Sequence, residues 1–280
     1  MCREKNRITE TADGFRRNAG FTIIEILIAV FLAGLITSAA MGLYLTQRKQ
    51  LSVQEEVTDM QSNIRAATAE LATKIRMAGY KVPEGLDAIT AWNTDPDSIL
   101  LVYDSDDLRD VQLEWPMPRP SAELRCDGHD LSGLNEGDWA YVWDPNTKTG
   151  EFFLVTQVQN SGHIQHNTMP LSKAYPAGSM VMKLQRFKYF IDQTDANHPN
   201  LMVQYDGYAP QVYADNITQL NFLYSLSSGN VVDVPPSPNL VREVEISVAA
   251  RNDRPDNEFH EQYRTRMLTT GVKVRNIGVN

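Results

Sequence analysis

Gly20-Phe21-Thr22-Ile23-Ile24-Glu25 opens an apolar run over residues 21–45 in which Glu25 is the only charged side chain. At ~1.5 Å per residue, a helix of that length extends about 37 Å, enough to cross a hydrocarbon core of ~30 Å. Its thirteen Phe, Leu, Ile and Val residues favour insertion by about 6 kcal/mol, at roughly 0.3 to 0.6 kcal/mol each. A carboxylate inside the run costs on the order of 2.5 to 3.5 kcal/mol, by analogy with other mid-membrane charges. The segment is therefore expected to span a bilayer, and Glu25 to require a cationic partner there. Before it, Arg3, Lys5, Arg7, Arg16 and Arg17 outnumber Glu4, Glu10 and Asp13. The positive-inside rule then keeps this end cytoplasmic and sends the chain after residue 45 outward, with Arg48 and Lys49 at the outer boundary.

A secretory signal is the competing reading, because Ser38-Ala39-Ala40 supplies small residues for a conventional peptidase. That cut would sever a continuous helix, and it leaves a carboxylate near the start of the apolar run unexplained. The Arg16-Arg17 pair is a poor twin-arginine signal, since apolar residues do not follow it closely.

Basic residues, then Gly20, then Phe21-Thr22-Ile23-Ile24-Glu25 and an uninterrupted apolar run resemble the class III leader of type IV prepilins and pseudopilins. The resemblance implies that a dedicated prepilin peptidase cuts between Gly20 and Phe21 and methylates the new Phe21 amine. It also implies that Glu25, fifth in the mature chain, pairs with the Phe21 amine of a neighbouring subunit during assembly. A buried charge of this kind is tolerable only when a second buried charge satisfies it.

Beyond the apolar run, Val53, Val57, Met60, Ile64, Ala67, Leu71, Ile75 and Ala78 recur at spacings of three and four, the pattern of an amphipathic helix. Gly79 followed by Val82-Pro83 supplies its stop. Four parts are expected: a basic leader over 1–20, a membrane or filament-core helix over 21–45, its amphipathic continuation over 46–79, and an extracytoplasmic β-rich domain over 80–280. Strand composition marks 98–103, 138–143, 151–158, 180–189, 201–205, 217–224, 243–250 and 269–275, with 139–158 forming a hairpin around Asp144-Pro145-Asn146 and Lys148-Thr149-Gly150. A long helix followed by mostly antiparallel strands is an α+β order. The domain is expected to be one sizeable unit or one carrying an insertion.

Within the helix, Val53-Gln54-Glu55-Glu56, Met60-Gln61-Ser62-Asn63-Ile64-Arg65 and Ile75-Arg76-Met77-Ala78-Gly79-Tyr80 resemble the PilW family of minor pilins. Val241-Arg242-Glu243-Val244-Glu245-Ile246-Ser247-Val248-Ala249-Ala250-Arg251 and Arg266-Met267-Leu268-Thr269-Thr270-Gly271-Val272-Lys273-Val274-Arg275-Asn276 are similar to its closing strands. Residues 84–240 carry no such match. Gly42 stands where major pilins typically have proline, which points away from the bulk filament subunit. The resemblance implies a minor pilin that primes or caps a type IV pilus, with other minor and major pilins, the inner membrane and the inner-membrane assembly platform as partners. A pseudopilin at the tip of a type II secretion piston shares the same plan. A tip-displayed adhesin, using exposed loops around 115–137 and 227–239, is the binding-class alternative.

The whole chain carries 26 basic and 35 acidic residues; without the five and three of 1–20, the remainder has 21 against 32, a net charge of −11. Such an acidic domain argues against direct nucleic-acid binding and against lying flat on anionic lipid. Cys2 falls in the leader, so Cys126 stands alone in the mature chain and no internal disulfide can form. His129 lies close to it in a turn-like stretch, but nothing nearby activates a nucleophile. Asp104, Asp106, Asp107 and Asp110 are weak candidates for a calcium loop; Leu108 and the lack of a following glycine break the EF-hand template. His163 and His166 lack a convincing third metal ligand. No phosphate loop, nucleophile elbow or paired-carboxylate motif is present, so a structural protein without catalysis or cofactor is expected.

Overall fold

The computed structural model describes residues 21–280 except 160, 168, 257–261 and 278–280. The expected leader and its Gly20 lie outside the described residues. The chain divides into two compact units, Met1–Val53 and Gln54–Asn280. One helix, α1 (Ile23–Met77), runs through the division. Every residue over 21–50 is exposed, whereas Met60, Ile64, Ala67, Leu71 and Ile75 form a buried stripe in the second unit. The same helical geometry thus serves two surroundings, and the spacing of apolar residues decides which part folds onto its own strands.

Helix α1 stops two residues before Gly79, whose φ of +83° suits the left-handed position that commonly follows a helix. The Gly79 N–H donates to the Val102 carbonyl at 2.9 Å. Asn276 Nδ2 donates to the Arg76 carbonyl at 3.0 Å, so one of the last helical acceptors is satisfied from the far end of the chain.

The strands are β1 (Ile89–Trp92), β2 (Ser98–Asp104), β3 (Val111–Gln112), β4 (Leu124–Arg125), β5 (Trp139–Asp144), β6 (Thr149–Leu154), β7 (Gln157–Val158) and β8 (His163–Gln165), followed by β9 (Met180–Met182), β10 (Leu184–Asp192), β11 (Asn200–Tyr205), β12 (Gln211–Ala214), β13 (Ile217–Leu226), β14 (Val231–Val232), β15 (Val241–Arg251) and β16 (Thr265–Lys273). They build four sheets in the orders β1-β2-β10-β11-β12, β14-β13-β15-β16, β3-β9-β5-β6 and β4-β8-β7. The registered pairs are antiparallel, from the hairpin β5–β6 to the long-range partners β2 and β10. The fold is α+β, as its sequence order predicts.

Alternation explains the main core. In β13, Leu220, Phe222, Tyr224 and Leu226 turn inward; in β15, Val244, Ile246, Val248 and Ala250 do the same. These side chains share one apolar cluster with the α1 stripe and with Ile99, Leu101, Tyr189 and Leu201 of the first sheet. Polar contacts fix the helix on that core. Tyr189 Oη donates to Glu70 Oε1 at 2.8 Å, and Lys74 Nζ lies 3.9 Å from the centroid of Phe187. Asp97, only 3% exposed, joins the two sheets: its carboxylate accepts from Thr94 N at 3.1 Å and Phe222 N at 2.8 Å.

Between β2 and β10 a second apolar cluster forms around Leu113, Leu124, Cys126, Val142, Val155 and Ile164. This segment is an insertion with its own interior. A smaller cluster of Val102, Tyr141, Met182 and Leu184 ties it to the helix-bearing core. The stretch 115–137, expected as irregular and exposed, is irregular apart from β4 but buries Met117, Leu124, Leu131 and Leu134. Those four side chains serve the insertion's core, while Trp115 of the same stretch stays 56% exposed.

Candidate assembly site

At the start of α1, Thr22 Oγ1 accepts the Glu25 N–H at 3.3 Å, and the Thr22 carbonyl accepts it at 3.1 Å. Threonine followed three residues later by glutamate is a recognised helix-start signal, and sequence reading for the cleavage site alone passes over it. Helical geometry then places Glu25 in the first turn, where the positive end of the helix dipole favours a carboxylate. Phe21 is 79% exposed, just before the first helical residue. Among the described residues, no group bonds the Glu25 carboxylate. The result is an acid with no cation beside it among the described residues, followed by an apolar surface that water alone cannot accommodate.

Helix α1 is long and apolar enough to cross a membrane by length and composition, and none of its most apolar window is buried within the protein. Phe21 and Glu25, the candidates for processing and assembly, thus lie close together at one exposed helix end, while Gly20 falls outside the described residues.

The other sequence candidates are dispersed. Asp104 is buried and accepts the Asp106 N–H at 2.9 Å; burial foremost raises its carboxyl above the ordinary carboxylate range. Asp106 instead bonds Lys81 and the Tyr80 hydroxyl, and the Lys81 bond foremost holds its carboxyl below that range. Asp107 lies 3.9 Å from Lys183 Nζ. Asp110 occupies a left-handed turn position with φ of +51°. Lysines distant in sequence therefore take up part of the acidic run. Among the described residues, no group of three or more His, Cys, Asp and Glu is arranged to hold a metal ion.

Cys126 is fully buried, and burial foremost pushes its thiol up to about 12. His129 Nε2 lies 2.9 Å from Glu114 Oε1, turned to a carboxylate rather than to Cys126. His163 sits between Glu123 and Asp127, at 3.1 and 2.9 Å. His166 is buried against the Ala122 carbonyl, at 2.7 Å. These contacts tie the insertion together and do not converge on a shared site.

Comparison with known families places the prokaryotic N-terminal methylation motif at residues 15–41, the segment containing Phe21, Thr22 and Glu25. No curated protein matches the chain. The motif supports a type IV pilin-like protein, pilin or pseudopilin, and points to a structural rather than catalytic role. Together with the apolar helix, it is consistent with an inner-membrane anchor and pilus association.

Proposed function

We propose that the chain is a PilW-type minor pilin, cut by prepilin peptidase between Gly20 and Phe21, methylated on the Phe21 amine, and incorporated to prime or cap a type IV pilus. The observation carrying this reading is the methylation motif at 15–41, set at the start of a helix whose Glu25 carboxylate has no partner among the described residues. The leader stays cytoplasmic, residues 21–45 cross the inner membrane, and the domain after 79 lies outside. Assembly brings the methylated amine of one subunit to the Glu25 carboxylate of another, so each charge leaves water only when the opposite charge is present.

Support for the PilW assignment comes from how its three matching regions combine. Residues of α1 from Met60 onward, β15 and β16 contribute side chains to the same apolar cluster, although some 170 residues separate the first from the others. The match therefore describes one packed unit. The assembly platform and other pilins are the partners of this cycle. A type II secretion pseudopilin would share the processing chemistry and differ in which filament it enters.

N-terminal sequencing of the membrane-extracted protein tests the first step. A chain beginning at methylated Phe21 is expected; one beginning at Met41 overturns the proposal. Gly20→Ala should sharply reduce leader removal. Glu25→Gln should insert and be cut normally yet fail to enter sheared pili as fully as Glu25→Ala, because it keeps the shape and loses the charge. Normal incorporation of Glu25→Gln would refute ion pairing. Recovery with a secretion filament instead of a pilus would select the pseudopilin reading.

A further inference from the structure

β16 is the longest edge strand among the described sheets. It has nine residues, whereas the other edges are β1 and β12 with four each, β6 with six, and β3, β4, β7 and β14 with two each. Its pairing with β15 keeps one register from Thr265 opposite Arg251 to Lys273 opposite Glu243, without a bulge. Nothing among the described residues pairs with its other side. Long, regular edges are usually blunted by bulges, proline or shortening because they are templates for another strand. This one has none of those three features, and its charges, Arg266 and Lys273, stand near its two ends and leave residues 267–272 uncharged.

The hydrogen-bond phase shows which backbone groups are open. Val274 N donates to Arg242 O at 3.0 Å, and Asn252 N donates to Arg264 O at 3.1 Å, so the even-numbered residues of this continuous ladder bond inward to β15. In an antiparallel ladder the alternate residues then point outward. Thr265, Met267, Thr269, Gly271 and Lys273 each present an N–H and a C=O to the free side. Apolar side chains accompany them. Met267 is 61% exposed and Leu268 is 37% exposed, and successive strand residues lie on opposite faces. A shallow recess formed by Thr218, Gln219 and Tyr263 adjoins Met267.

Charge narrows the occupant. From 265 to 277 the chain carries Arg266, Lys273 and Arg275 and no acid, in contrast to its overall excess of acids. Glu243 lies directly across from Lys273 on β15, but Arg266 faces Ala250 and has no ion-pair partner among the described residues. A second copy of β16 would bring the same cations to the seam. An acidic strand from a different protein would complement them.

We infer that the open edge of β16 binds an extended, acidic segment of another protein as an added strand. That segment places apolar side chains abreast of Met267 and Leu268 and a carboxylate abreast of Arg266. Backbone bonds supply much of the affinity, and the alternate side chains supply the selection. The inference rests on strand geometry and holds independently of the leader reading.

Proline at position 269 isolates this edge. The Thr269 N–H points outward, so Thr269→Pro removes an edge donor while sparing the β15 ladder; Thr270→Pro removes an inward bond and serves as the folding control. The full chain in detergent is titrated with a nonapeptide of alternating Val and Thr carrying one Glu, and with the same peptide carrying Lys instead. Amide exchange is read at 265, 267, 269, 271 and 273. The Glu peptide should protect these amides, bind about tenfold tighter than the Lys peptide, and lose about tenfold in affinity with Thr269→Pro, the scale of one charge-assisted or edge bond. Equal binding of the two peptides, or undiminished binding by a folded Thr269→Pro protein, would overturn the inference. So would protection of the outward amides before peptide is added, whether independent of protein concentration, from the chain's own residues, or rising with it, from a second copy.

Discussion

Leu71→Ala tests whether the second part of α1 belongs to the fold's core. Leu71 is 0% exposed, with Ala67 and Ile75, also 0% exposed, one turn to either side. Removing three carbons forfeits about 2.4 kcal/mol of transfer free energy at ~0.8 kcal/mol per methylene. The cavity left behind adds to this, giving roughly 3 to 4 kcal/mol, within the usual range for buried Leu→Ala changes. At ~2–4 °C per kcal/mol for a unit of this size, the melting temperature should fall roughly 6 to 16 °C. Thermal unfolding of the full chain in detergent, followed by tryptophan fluorescence, measures it. Leu35→Ala is the internal control, because Leu35 is 53% exposed. Its shift should stay within about 0.5 kcal/mol, the range of ordinary surface changes. A Leu71→Ala loss below about 1 kcal/mol, or an equal loss at Leu35, would refute the division of the helix into a free and a packed part.

Gly79→Ala should cost about 2 to 4 kcal/mol in denaturant unfolding, combining a left-handed alanine with overpacking; the new Cβ would stand 2.6 Å from Ile277 Cγ1 and 2.9 Å from the Asn276 carbonyl. Wild-type stability would show that the helix end and the C-terminal segment do not meet as closely as described. Cys126 in the processed chain should resist a thiol reagent at pH 8 until denaturant is added, because burial raises its thiol to about 12; prompt labelling of folded protein would contradict that burial. Asp97 carries a pH prediction. Burial foremost raises its carboxyl above 3.8, so the folded state favours the proton. The stability contribution from that shift is present below the unfolded value and is lost as pH rises through the raised folded value. Asp97→Asn should flatten this part of the stability–pH curve, although its amide lowers stability by facing one backbone N–H where the carboxylate accepted two. An unchanged slope, measured by urea unfolding across that range, would remove Asp97 from the account.

The helix was legible because its signal is repetitive: one apolar residue every three or four positions from Val53 to Ala78, ended by a glycine in the position that glycine favours. β2, β5, β13 and β15 were legible for a similar reason, each having a buried apolar face. Short strands were not. β1, β12 and β14, of four, four and two residues, are too short to show an alternation of their own, and each forms as the hairpin partner of a better-marked neighbour, β2, β11 and β13. The expected run 151–158 breaks after Leu154, because Val155 N turns to Asp138 O and Thr156 N to Gln165 O. Likewise 180–189 divides around Lys183, whose amine reaches Asp138 at 2.8 Å. The last strand begins at Thr265, four residues before the sequence indicated. Its first residues are exposed on both faces, so they lack the alternation by which strands are recognised. At the acidic run, four aspartates were visible in sequence, but the lysines that divide them come from positions 81 and 183.

The N-terminal feature was legible for the opposite reason: it contradicts its own surroundings. An apolar helix could be satisfied by lipid alone, and a first-turn glutamate could be satisfied by water and the helix dipole, a contribution of about 0.3 to 1 kcal/mol. Neither solvent satisfies both at once. Lipid covers Ile24 and Leu27 but leaves Glu25 between them without a cation; water reaches Glu25 but leaves the flanking apolar side chains exposed. An environment that is apolar around the helix and cationic at a single point meets both demands. A neighbouring helix of the same kind, beginning at a free amine beside its own apolar run, has that composition. The second unit has no such conflict, since the stripe on α1 is already covered by its own strands. The proposed assembly contact therefore falls at the start of the helix and not along its packed part, where the match to the methylation motif meets a carboxylate that no described residue bonds.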